Sequence, residues 1–379
     1  MELYNDLRLK ETTELLKELI RIPSVTGNEK PLAEYIVGKL LEYGADEAYI
    51  QPVEADRCNV ISKLVGGKPG RTILLTGHLD VVSPGEGWET DPFVPVEMNG
   101  RIYGRGSNDM QAGLAIIMEC VRIAAENRDE YPGVIEVALL CDEEAYSAGA
   151  IEYVKHGSNA VFGLSAEPEF EMVEVGAAGK ILISVLVEGR TTHAATPQLG
   201  INALEDAARF VSALDTIAIP QHEKIPGQPF VTLKLNGGIK EYSLVVPDRC
   251  ELLINKHTVP GEDKEDVIAS LECLVKKMGL RSVFTFKVER PFYPPFAVPE
   301  DNPFVQRLIN IIETVSGREI GPGYGDGVCD CNYLVPKLGI PIVNYGPSGA
   351  NMHGANEWVD IEKIATVLEV YLRFLFEDQ

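Results

Sequence analysis

Apolar positions along the chain follow two different spacings. From Leu7 to Ile20 they recur every three or four residues, which predicts a helix with one buried face. Ile22–Pro23–Ser24–Val25–Thr26–Gly27 then reads as a turn, and a second helix is predicted from Glu29 to Tyr43, stopping at Gly44. Cys58–Leu64 and Thr72–Val82 are instead β-branched-rich runs of strand length flanking the turn Gly66–Gly67–Lys68–Pro69–Gly70. A helix follows over Gln111–Glu126, a strand over Val134–Leu140, a helix starting near Ser147 and a strand over Ala160–Ser165. Strands alternating with helices predict a mostly parallel sheet sandwiched by helices.

The rhythm then changes. Lys180–Val187 reads as a strand, Ile201–Leu214 as a helix, Phe230–Leu235 and Cys250–His257 as strands, Asp263–Met278 as a helix and Ser282–Val288 as a strand. This is the βαββαβ order of a ferredoxin-like domain. After a Pro-rich stretch the α/β pattern returns, with a helix over Asn302–Ser316, a strand over Ile340–Tyr345, a loop Gly346–Glu357 and a helix over Ile361–Phe376. The predicted fold class is therefore α/β, with residues 1–177 and 290–379 forming one domain and residues 178–289 a ferredoxin-like domain inserted into it. No repeat of solenoid period is present.

Composition narrows the function classes. The 379 residues are 45% hydrophobic and 24% charged, those of an ordinary globular chain with room for two domains. The longest apolar runs are strand-sized, so no membrane span is expected, and the charged start of the chain lacks a signal-peptide pattern. A net charge of −23 opposes nucleic-acid binding. Seven scattered cysteines argue for a reducing, cytoplasmic setting rather than a disulfide framework. The pair Cys329/Cys331 has no partner motif that would make it a structural zinc site.

The candidate chemistry collects just past strand ends, where open α/β sheets place their sites. The strand ending Gly77–His78–Leu79–Asp80 puts a histidine and an aspartate on one face of an extended backbone. Asp109 precedes a helix, Glu143 and Glu144 follow one strand, Glu167 follows another, and His353 lies in the last long loop. Any one of these acids alone reads as a solvated loop residue. Together, two histidines and several carboxylates are a donor set for Zn²⁺, with Co²⁺ or Mn²⁺ as substitutes, and a carboxylate such as Asp109 can bridge two metals.

At these residues the chain resembles the co-catalytic di-zinc metallopeptidases and deacylases, a family that includes acetylornithine deacetylase, succinyl-diaminopimelate desuccinylase, glutamate carboxypeptidase and aminoacylase. The resemblance is carried by Gly77–Val82, Gly87–Phe93, Tyr103–Met110, Asp142–Glu144, Ala166–Pro168, His193 with Gly200-x-Asn202-Ala203, and His353 with Glu357. It implies a zinc-exopeptidase-like fold whose insert serves as lid and dimerisation domain, so that a homodimer is expected. It also implies two zinc ions per chain: Asp109 bridging, His78 and Glu167 on one metal, Glu144 and His353 on the other. Asp80 would support His78, Glu143 would be general base and acid, and a cis peptide bond would follow Asp109. The implied reaction is hydrolysis of an amide by a water bridging the metals, with His193 donating to the oxyanion. The remaining histidines, His156 and His222, sit in no motif.

Departures from the family pattern fall on the substrate side. Asn255–Lys256–His257 replaces an Asp-x-Arg, Leu244 an Asn, and Cys329–Asp330–Cys331–Asn332 a Ser/Thr-Asp-Ala-Arg. Neither Lys256 nor His257 reproduces the fork by which Arg grips a carboxylate, which leaves them as candidate readers of the substrate. The expected activity is deacylation of N-acyl amino acids or cleavage of small peptides. The alternatives are a carboxypeptidase or dipeptidase, an aminopeptidase, or a silent binding protein, although no ligand or base is eroded as the last would require.

Overall fold

The computed structural model describes residues 3–54, 56–238, 244–325 and 327–377. The chain divides into two compact units, one of Met1–Gly176, Ala297–Gly325 and Cys329–Gln379, the other of Ala177–Phe296 with Asp326–Val328.

In the first unit a nine-stranded mixed sheet is covered by helices. Its centre is parallel: Lys68–His78 lies between Pro132–Leu140 and Phe162–Ser165, and Ile342–Asn344 extends the parallel run. Antiparallel strands Cys58–Val65 and Glu47–Pro52 complete one side. The register decides where the chemistry falls. His78 pairs with Leu140, Thr76 with Ser165 and Ser165 with Asn344, so these strands end level at one edge. Asp80, Glu143, Glu144 and Glu167 then leave the sheet together.

The helix Gln111–Glu126 is buried along nearly its whole length, as its apolar sequence demands. Burial of each Leu or Ile there contributes roughly 1.5–3 kcal/mol. Gly113 allows its close approach: a Cβ there would stand 2.4 Å from the Ala166 carbonyl oxygen. This packing sets Asp109, at the head of the helix, beside the strand ends.

Three features escaped the hydrophobic pattern. The strand expected to reach Val82 ends at His78, and Val81 bridges instead to Val25 of the N-terminal turn. Cys331–Leu338 is helical although Pro336 lies within it. The strands Val96–Met98, Arg101–Tyr103, Trp358–Asp360 and Gly349–Ala350, of two or three residues each, form a small antiparallel sheet. Elements that short carry no readable period. The small sheet ties the loop bearing His353 to the loop leading into Asp109.

The second unit is an antiparallel sheet in the order Val231–Gly237, Arg249–Thr258, Gly179–Glu188, Val283–Tyr293, the ferredoxin-like arrangement. Alternate residues Ile181, Ile183, Val185 and Val187 point to one face, where Phe210 and Leu271 of the helices Ala203–Ala213 and Lys264–Met278 cover them. A capping box at Asp263 and left-handed Gly279 bound the latter helix. Among the described residues no helix is long and apolar enough to cross a membrane.

Candidate metal centre

The Asp109 carboxylate is the hub. Its Oδ1 lies 3.0 Å from His78 Nε2 and its Oδ2 lies 3.1 Å from His353 Nε2. Glu167 Oε2 stands 3.8 Å from His78 Nε2, and Glu144 Oε2 stands 3.0 Å from His353 Nε2. The donors thus divide into two triads that share Asp109. The ligand atoms of His78, Asp109 and Glu144 all fall within 4.8 Å of one another, the one such group among the described residues.

Each donor is held from behind. His78 Nδ1 contacts the main-chain oxygen of Asp80 at 2.8 Å. An N–H given to that carbonyl leaves Nε2 as the lone-pair nitrogen, turned toward Asp109. Asp80 therefore supports His78 through its main chain; its carboxylate oxygen stays 3.9 Å from the ring. That carboxylate instead accepts the Glu143 N–H at 3.1 Å and the Glu144 N–H at 3.3 Å. On the other side, buried Glu357 gathers the Asp109 loop. One of its oxygens accepts N–H groups of Asn108 and Asp109 at 2.9 and 3.0 Å, the other that of Gly106 at 3.1 Å and the Arg105 guanidinium. The Asp109–Met110 peptide is cis.

The electrostatics are those of a site short of positive charge. Burial pushes Glu143 well up, with Glu167, Asp330 and Glu144 adding and only His78 opposing. Burial likewise drives Glu167 to about 8 and Asp330 to about 7. Hydrogen bonds to the Asp109 and Glu144 carboxylates raise His353 to about 10. Burial works against a charged His78, yet Glu167 and Asp109 carry it well above its ordinary value. Glu144 Oε1 is buried and finds no hydrogen-bond partner among the described residues. A buried oxygen without a donor, and imidazole nitrogens facing carboxylate oxygens at 3 Å, are satisfied together by bound cations. Nitrogen and carboxylate donors of this kind suit divalent zinc, cobalt or manganese. The residues fit a metal.

Across residues 74–377 the sequence matches the model of peptidase family M20/M25/M40. The chain belongs to this family. As a family M20 hydrolase it has relatives of nearly its own length. It is 28% identical to N-formyl-4-amino-5-aminomethyl-2-methylpyrimidine deformylase of Bacillus subtilis, over 92% of this chain and 89% of that one. It is 25% identical to succinyl-diaminopimelate desuccinylase of Sulfurimonas denitrificans, over 95% and 98%. Its fold matches that of aminopeptidase PepT from Bacillus cereus at a TM-score of 0.81 and 22% identity, covering 99% of both chains. A dinuclear metal-binding M20 peptidase of Bacillus subtilis superposes at 0.70 and 16% identity, over 98% of each.

Three other candidate residues, His193, Lys256 and His257, lie in the second unit of this M20 chain. His193 is exposed, and its Nδ1 accepts the Ala195 N–H at 3.0 Å. His257 is half-buried on the strand Arg249–Thr258; burial, Lys180 and Lys256 all disfavour its charge. Lys256 is buried, and its ammonium is committed to the carbonyls of Gln228 and His257 at 3.0 and 2.9 Å and to Glu262 at 3.4 Å. That removes Lys256 as a reader of substrate. Cys329 and Cys331 sit around the Asn344 amide, which accepts from Cys331 Sγ at 3.1 Å and approaches Cys329 Sγ at 3.5 Å. Sequence reasoning passed over Thr26, Arg57, Asp330 and the holding role of Glu357. Asp330 and Glu357 stood within quoted motifs that gave them no role, and Thr26 and Arg57 stood in none.

Proposed function

We propose that the protein is a metal-dependent amidohydrolase that removes the acyl group from N-acyl amino acids or cleaves small peptides. The observation that carries this reading is the Asp109 carboxylate spanning His78 and His353, with Glu167 and Glu144 on opposite sides. We assign two metal positions: His78, Asp109 and Glu167 would hold one, and His353, Asp109 and Glu144 the other, with zinc as the metal. What divalent cations supply when bound there is Lewis-acid polarisation of a carbonyl and a more acidic water.

The rest falls to the chain's own side chains. Glu143, next to a ligand and backed by Asp80, takes the proton of the attacking water and later returns it to the leaving amine. His193 donates a hydrogen bond to the oxyanion. His257, its charge disfavoured, contacts the substrate as a neutral polar group rather than as a cation. The second unit serves as lid and as the contact of a homodimer. All seven cysteines are free, which supports a reducing cytoplasmic setting.

The test is chelation followed by resupply of Zn²⁺, assayed on matched N-acyl amino acids and their C-terminal amides. Activity should vanish on stripping and return with metal, and the stripped protein should unfold at lower temperature. Full hydrolysis by a metal-free sample would sink the reading. Preference for the free acids would mean that the carboxylate is read; equal rates would point to a broader amidase or peptidase.

A further inference from the structure

The turn between the first two helices lies outside residues 74–377, where the family model matches, yet it reaches the centre by two routes. The first runs through Thr26. Its hydroxyl donates to Asp80 Oδ2 at 2.9 Å, and the same carboxylate accepts the Glu143 and Glu144 N–H groups. The second runs through Glu29, which accepts the Gly27 N–H at 2.9 Å and pairs with Arg57. Arg57 in turn pairs with buried Asp142, the residue before Glu143, whose other oxygen accepts the Ala148 N–H at 3.2 Å. The Asp142–Glu144 turn is thus gripped at three consecutive residues by groups fixed to the N-terminal segment.

Holding that segment in place does not require the Thr26 hydroxyl. Main-chain bonds already do so: Thr26 N–H to the Val81 carbonyl at 3.1 Å, and Val81 N–H to the Ser24 carbonyl at 3.0 Å. The hydroxyl's bond to Asp80 is additional, and among the described residues the cationic group within ion-pair reach of that carboxylate is the His78 ring. A valine at position 26 would leave the main-chain bonds intact while withdrawing a donor from a buried charge. Asp80 could then rotate, and the backbone carrying Glu143 and Glu144 would rotate with it.

We propose that Thr26 is a positioning residue for hydrolysis: through Asp80, and together with the Glu29–Arg57–Asp142 chain, it sets where Glu143 and Glu144 point. This rests on the reading of Glu143 as base and Glu144 as ligand, and the experiment separates the two claims. Thr26→Val, Thr26→Ser, Glu143→Gln and the Thr26→Val/Glu143→Gln double variant are compared in the full chain. The readouts are kcat, KM, calorimetric titration of the stripped protein with Zn²⁺, and the unfolding midpoint of the stripped protein.

Thr26→Val should lower kcat roughly 10–100-fold, as loss of a group behind a metal ligand does, and should weaken Zn²⁺ binding. KM should move by less than about twofold, since the substrate is not touched. Thr26→Ser should restore kcat to within about threefold of the parent, because the donor is kept. In the Glu143→Gln background, assayed at saturating Zn²⁺, the Thr26→Val change should cost clearly less in kcat than it does in the parent, since the base it positions is gone and only its hold on Glu144 is left to lose. Unchanged kcat and Zn²⁺ binding in Thr26→Val would overturn the proposal. So would a loss that Thr26→Ser does not restore and that tracks the unfolding midpoint, or a loss of equal size in the Glu143→Gln background. If Glu143→Gln itself retained activity, the assignment of the base would fail, and the Zn²⁺ titration of Thr26→Val would still test the clamp.

Discussion

Glu357 and Glu144 are both carboxylates of the first unit, both buried, and they stand on either side of the same Asp109. Glu357 receives three backbone N–H groups and a guanidinium. Glu144 has one oxygen against His353 and the other without a hydrogen-bond partner among the described residues. The second unit repeats the first case with opposite sign, in Lys256 and its three oxygen acceptors. A buried charge with a full set of partners is architecture: it repays its desolvation inside the fold and asks for nothing further. A buried charge with a partner missing is a place where the fold has left room for something else to bind. By this measure Glu144 differs from Glu357, although the two lie close to the same aspartate.

The sharpest test beside this pair concerns Glu143, whose carboxyl is pushed well up by burial, with Glu167, Asp330 and Glu144 adding. Glu143→Gln should lower kcat by roughly 10²–10⁴-fold, the range expected for a general base, while metal analysis finds the content of the parent. Next comes stability. Glu357→Gln strands the buried Arg105, and urea unfolding of the stripped protein should show a loss of about 3–5 kcal/mol. Glu144→Gln should do the reverse in the same assay, with stability unchanged or raised because one of several crowded acids is removed, while bound metal falls toward one equivalent. If the two variants lost equal stability, the division would not stand. Lys256→Met should lower stability by about 1–3 kcal/mol and leave turnover alone, since its ammonium is fully used within the second unit. The smallest effect is expected of His257→Ala: a loss of up to about tenfold in the preference for free acids over amides, equivalent to about 1.4 kcal/mol. No change in that ratio would remove His257 from the substrate side.

The chain's own text carried far. The switch from β-α alternation to βαββαβ marks the two kinds of sheet because side-chain period reports which face is buried. Residues just past the ends of the parallel strands lie near one another in the fold, because parallel strands that pair in register end together. His78, Glu144 and Glu167 come close for that reason, whereas Asp109 and His353 are brought to them by the helix Gln111–Glu126 and the small antiparallel sheet. The family resemblance rested on those same short motifs.

Other matters were not in the text at all. Asp80 was expected to face the His78 ring, and only the folded chain turns its carboxylate to the backbone of Glu143 and Glu144. Lys256 and His257 were equal candidates in sequence; the pleat sends one into the packed face, where its charge is satisfied, and leaves the other half-exposed. Thr26 looks like any turn threonine until the bridge of its neighbour Val25 to Val81 carries it to Asp80. Periodicity and motif spacing record local preference, and they determined the elements, the layers and the donor types. Which hydrogen bond a given oxygen accepts depends on residues tens or hundreds of positions away, so it was decided only when the strands registered and the loops closed over Asp109.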